Sequence, residues 1–95
     1  MYISVRKYRT APDNAAEVLR KVREEFAPIL AGSEGFIKYY CFGNGEGVVS
    51  SVSIFESESQ AEESNRVAAH WVRQNLRELL PSPPEVISGE LSVDR

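Results

Sequence analysis

Ninety-five residues, 42% hydrophobic and 26% charged, describe one globular domain over residues 1–95 rather than two domains or a disordered chain. A formal net charge of −3 with no basic run argues against nucleic acid as a partner. No apolar run approaches the ~20 residues of a membrane span, so no membrane is expected either.

Burial is limited in so short a chain, and pairing with a second copy is the expected remedy. The single cysteine, Cys41, cannot close an internal disulfide, and Met1-Tyr2-Ile3-Ser4-Val5 is no signal peptide. A reducing cytoplasm is the compartment this composition suits.

Residues 2–9 alternate, with Ile3 and Val5 on one side and Tyr2, Ser4, Arg6 and Tyr8 on the other, which predicts a first strand. Thr10 as cap, Pro12 in the first turn and Asp13 at the positive end open a helix. Ala15, Val18, Leu19, Val22, Phe26 and Ile29 form its apolar stripe, Pro28 ends or kinks it, and Gly32 stops it.

Strands follow at 36–42 and 48–55, joined through Gly43-Asn44-Gly45-Glu46-Gly47. A type I′ turn at Asn44-Gly45 sets Cys41 opposite Val48, Tyr39 opposite Ser50 and Ile37 opposite Val52, the face expected beneath helices. Ser57-Glu58-Ser59-Gln60 is a capping box. Ala61, Ser64, Ala68, Trp71, Val72, Asn75 and Leu79 run along one helical stripe that Pro81 terminates. Residues 85–93 form the last strand.

The order β-α-β-β-α-β predicts an α+β, ferredoxin-like fold: a four-stranded antiparallel sheet with both helices on one face. On this reading the helix-free face carries Tyr2, Ser4, Arg6, Tyr8, Phe36, Lys38, Tyr40, Phe42, Phe55 and Val86. Such a mixture of aromatics and arginine suits a subunit interface, hence a homodimer through that face.

The opening strand Ile3-Ser4-Val5-Arg6-Lys7-Tyr8, the Glu34-Gly35-Phe36 strand entry, the Val52-Ser53-Ile54-Phe55-Glu56-Ser57 junction and the helix from Ala61 through Trp71 resemble one superfamily. It is the dimeric α+β barrel superfamily, and within it the antibiotic biosynthesis monooxygenase-like (ABM-like) proteins. The resemblance spans nearly the whole chain and rests on marks of fold, not of reaction. It implies a dimeric barrel and a class that includes cofactor-free monooxygenases, haem-degrading enzymes and isomerases. The function it implies is a cofactor-independent monooxygenase acting on an aromatic or polyketide-like molecule. The alternative is a non-catalytic dimer that binds a small molecule or serves as an interaction module.

The ligand-binding candidates are Tyr39, Asn65 and Trp71. Trp71 borders the buried helix stripe, where it either walls a pocket or is plain core. Asn65 lies on the same side, and Tyr39 faces the helices from the second strand. The superfamily's oxygenases often use an asparagine and a tryptophan, although their spacing is not reproduced here. His70, the sole histidine, falls nearly opposite the stripe at 100° per residue, so neither a metal nor haem is expected through it. No cofactor is implied by the residues themselves. Arg6 and Glu90 share a face of neighbouring strands, where a cross-strand pair is the plain reading and an anion or carbonyl clamp the functional one. Cys41 reads as an inert buried thiol.

Overall fold

Strict alternation over Tyr2–Arg9 becomes strand β1. The computed structural model describes residues 1–95 and continues with helix α1 (residues 15–31), β2 (Phe36–Gly43), β3 (Val48–Phe55), helix α2 (Glu58–Asn75) and β4 (Glu85–Glu90). The strands lie in the order β2-β3-β1-β4, each antiparallel to its neighbour. This is the expected ferredoxin-like α+β sheet. Val18, Val22, Phe26 and Leu30 of α1 join Ala61, Ala68 and Trp71 of α2 in one core over Tyr8, Val49 and Phe55 of the sheet. No helix is long and apolar enough to cross a membrane.

Helix α1 is built in three parts: α-helical Ala15–Lys21, a π-helical turn Val22–Phe26, and α-helical Ala27–Ala31. Pro28 explains the wide turn. A proline ring collides with the carbonyl four residues earlier and cannot donate to it. The π turn, in which the Ala27 amide donates to the Val22 carbonyl, relieves that conflict without ending the helix. It also presents Val22 and Phe26, both buried, to the sheet.

Thr10 does not cap α1. Its hydroxyl donates to the Leu79 carbonyl at 2.7 Å, and its amide donates to Gly47 O at 2.8 Å. Ser57 caps α2 as predicted, accepting from the Gln60 amide at 3.3 Å. That helix stops at Asn75, not beside Pro81, because Leu76 and Leu80 turn back into the core through two bonds to the Leu76 carbonyl.

The β2–β3 register departs from the expectation. Cys41 faces Ser51, Tyr39 faces Ser53 and Tyr40 faces Val52, so the partner of Cys41 lies three residues further along than predicted. The cause is a longer turn. The Asn44 amide bonds Val48 O at 3.0 Å, and Asn44 Oδ1 accepts from the Glu46 and Val48 amides at 2.8 and 3.1 Å. Gly45 and Gly47 take φ of +81° and +90° to close it. A bulge between Phe36 and Lys38 then reverses the parity of β2, so Phe36 turns inward together with Tyr39 and Cys41.

An odd shift in register exchanges the faces of β3 and, through it, of β1. Ser4, Arg6, Tyr8, Val49, Ser51, Ser53 and Phe55 lie beneath the helices and are buried. The helix-free face instead carries Ile3, Val5, Val52, Ile54, Tyr40, Phe42 and Ile87. Most of the residues expected on the open face are thus the covered ones; Lys38, Tyr40 and Phe42 keep their assignment.

Candidate functional site

The exchange of faces moves a polar strand under the helices, and the site is assembled there. A cavity of about 30 Å³ lies between α2, α1 and the sheet. That is room for one or two waters. Its walls are mostly apolar: Val18, Val22, Phe26 and Leu30 from α1, with Ala68 and Trp71 from α2. The Phe26 and Trp71 rings sit 5.2 Å apart at a tilt, and Phe26 meets Tyr39 edge-on at 5.9 Å. Phe26 therefore fills much of the space above the sheet, and a planar guest enters only if these rings move.

One end of the cavity is polar. Arg6 is 6% exposed, although it carries a full charge. Its Nε and Nη2 donate to the Tyr8 hydroxyl at 3.0 and 2.7 Å. Its Nη1 makes long contacts of 3.3 and 3.4 Å to Asn65 Oδ1 and the Asn65 carbonyl. Asn65 in turn donates from Nδ2 to Ser4 Oγ at 3.1 Å, and Ser4 shares a 2.7 Å bond with Ser88. This chain of bonds fixes the Asn65 amide with its oxygen toward the guanidinium. Ser51 and Ser53 complete the sheet floor.

Tyr39, Asn65 and Trp71 all line this one cavity. Burial holds the Tyr39 phenol well above its ordinary pKa of 10.0; neighbouring Cys41 adds to the shift and Ser51 opposes it. Cys41 lines the same cavity, and burial raises its thiol above 9.0 against smaller opposing bonds from Tyr39 and the Phe42 backbone. Both groups stay protonated at neutral pH, so neither is a ready base.

Arg6, Tyr8 and Ser4 are the site residues that sequence reasoning placed on the wrong face. The signal that could have found them is the run of polar side chains at every second position of β1, matched by Ser51 and Ser53 on β3. The Arg6–Glu90 pair does not form. Arg6 stands opposite Val86, whereas Glu90 stands opposite Tyr2 and binds the N-terminal ammonium at 2.9 Å. His70 is exposed on α2 and is not part of the cavity, as its helical phase requires.

The model of the family described as antibiotic biosynthesis monooxygenase matches residues 1–71. No curated protein matches the chain in sequence. Among solved structures, the NE2512 protein of unknown function from Nitrosomonas europaea superposes with a TM-score of 0.82 at 18% identity, over 99% of this chain and 91% of that one. A monooxygenase from the ActVA-Orf6 gene of Streptomyces coelicolor, in complex with nanaomycin D, gives 0.78 at 13% identity, over 99% and 89%. The heme-degrader MhuD of Mycobacterium tuberculosis, with two hemes in its active site, gives 0.77 at 13% identity, over 100% and 99%. These structures speak to the fold, and the family match, which takes in β1 through most of α2, decides membership: the chain belongs to the antibiotic biosynthesis monooxygenase family.

Proposed function

We propose that this protein binds a planar aromatic molecule between α2 and the sheet and oxidises it as a cofactor-independent monooxygenase. The observation that carries the reading is the composition of the cavity: an aromatic and aliphatic wall closing on one cluster of hydrogen-bonding groups. Sites that orient small molecules combine a mostly apolar lining with a few fixed polar groups in this way. Trp71 and Phe26 supply the stacking surface; Asn65 and Tyr39 supply polar contacts at its edge. The nanaomycin D bound to the Streptomyces coelicolor monooxygenase is a guest consistent with such a lining.

The haem of MhuD would find no histidine ligand in this cavity. The sole histidine, His70, is exposed and outside the cavity, so no imidazole is available there to hold iron.

A second reading, binding without turnover, is favoured by the protonated state of Tyr39 and Cys41, which leaves no evident base in the cavity. Protein-dependent oxygen uptake with a hydroxylated naphthalene, and one atom of labelled dioxygen in the product, supports the oxygenase. Saturable binding without uptake supports the second reading, and absence of binding refutes both.

The working unit on this proposal is a homodimer joined through the helix-free sheet face. Tyr40, Phe42 and Ile87 are 53%, 54% and 70% exposed there beside Val52 and Ile54, an apolar patch of the kind that marks interaction surfaces.

A further inference from the structure

We infer that the aromatic guest presents an anionic oxygen, a carboxylate or an ionised phenol, to Arg6 and Tyr8. This rests on the proposed binding of an aromatic molecule in the same cavity and names its chemical class.

A buried charge is ordinarily paired, because taking it out of water is costly. Arg6 is buried, yet every oxygen it touches is neutral: the Tyr8 hydroxyl, the Asn65 amide and the Asn65 carbonyl. It belongs to none of the chain's ion pairs, and neither Asp nor Glu lines the cavity. The one formal charge facing the guest is therefore positive and unopposed.

The hydrogens point the same way. A guanidinium has five N–H donors. Tyr8 takes Nε and one hydrogen of Nη2, Nη1 makes only the long contacts to Asn65, and the other Nη2 hydrogen has no partner in the chain. The Tyr8 hydroxyl accepts two of those bonds and donates its own proton to nothing in the chain. Its oxygen is 2.7 Å from Nη2, so the two groups that keep an unused hydrogen are neighbours at this end of the cavity. Tyr39 adds a phenol that keeps its proton. An anionic oxygen answers these donors, whereas a neutral or cationic group leaves Arg6 without a counter-charge.

The test uses the full-length protein and the emission of its only tryptophan, Trp71. Two matched pairs of probes differ chiefly in charge, each compared at one pH: naphthoate against naphthamide, and a nitrophenolate against its methyl ether. At least tenfold tighter binding of the anion in either pair, reduced to near parity in Arg6→Met, supports the inference. The first pair identifies a carboxylate and the second an ionised phenol. Equal affinities within both pairs in the unmodified protein overturn the inference and leave aromatic binding standing. No saturable change with any probe overturns both. Because the decisive comparison is made on the unmodified protein, it does not depend on how the variant folds.

Discussion

Replacing Arg6 by methionine should leave the fold almost as stable as before, an unusual outcome for a buried site. The two short bonds to Tyr8, at 3.0 and 2.7 Å, involve a charged donor and are each worth about 1.5–3 kcal/mol, or roughly 3–6 kcal/mol together. The Asn65 contacts at 3.3 and 3.4 Å are too long to add much. Against this stands the penalty for holding an unpaired guanidinium out of water, several kcal/mol even after relaxation. Methionine keeps the apolar stem and adapts to irregular space. The freed oxygens of Tyr8 and Asn65 border a cavity of about 30 Å³ that can admit water. The opposing amounts nearly cancel, so the expected change is within about 1 kcal/mol of zero, of either sign. With a urea m-value of about 1–3 kcal/mol/M, the unfolding midpoint then moves by less than about 1 M. A loss above ~3 kcal/mol at unchanged m would contradict this near-cancellation. It would mean that Arg6 is held in place by the needs of the fold rather than those of a ligand.

On the proposed dimer, Tyr40→Glu should weaken pairing by placing a carboxylate in the apolar face; light scattering on both proteins checks this, and a monomeric unmodified protein at micromolar concentration would reject the proposed interface. Gly47→Ala should cost on the order of 1–3 kcal/mol, because φ is +90° and a Cβ there would stand 2.5 Å from Thr10 O. At about 4–8 °C per kcal/mol, a melting curve reads that change, and an unchanged melting temperature would contradict the assigned turn. The phenol of Tyr39 and the thiol of Cys41 both titrate higher in the folded chain than their ordinary 10.0 and 9.0. The folded state therefore holds these protons more tightly, so the stability that these two groups contribute is full below about pH 9 and falls as pH rises through and beyond 9 and 10. Tyr39→Phe should flatten the part of this alkaline loss that sets in near pH 10, and an identical pH profile in the variant would show that the phenol is not responsible.

Strand β1, strand β3, the Ser57 cap and the Ala61-Ser64-Ala68-Trp71 stripe were legible in the sequence because each is a local pattern of period or capping. The sheet register was not. Asn44-Gly45 fits a two-residue turn, but the Asn44 side chain bridges to Val48 and uses Gly47 as well. Nothing local distinguishes the two turns, and their three-residue difference reverses which face of β3 is covered. The same reversal explains the uneven reading of the site. Asn65 and Trp71 were placed on the cavity side by helix phase, which does not depend on the turn, and Tyr39 kept its side because the register error moved β3, not this part of β2, to the other face. Arg6 and Tyr8 were placed outside because β1 inherits its face from β3. A polar side chain under a helix also runs against the ordinary hydrophobic rule, and such exceptions gather where binding, not stability, sets the residue.

Both proposals depend on an aromatic molecule entering the cavity beneath α2. Two-dimensional NMR of ¹⁵N-labelled protein titrated with naphthoate tests it most directly, since the chain has a single indole N–H to follow. Saturable shifts of the Trp71 indole and the Asn65 side-chain amide, with the amides of Arg6 and Tyr39 moving in parallel, are the predicted result. Shifts confined to Tyr40, Phe42 and Ile87 on the open sheet face, or no shifts at all, would contradict it.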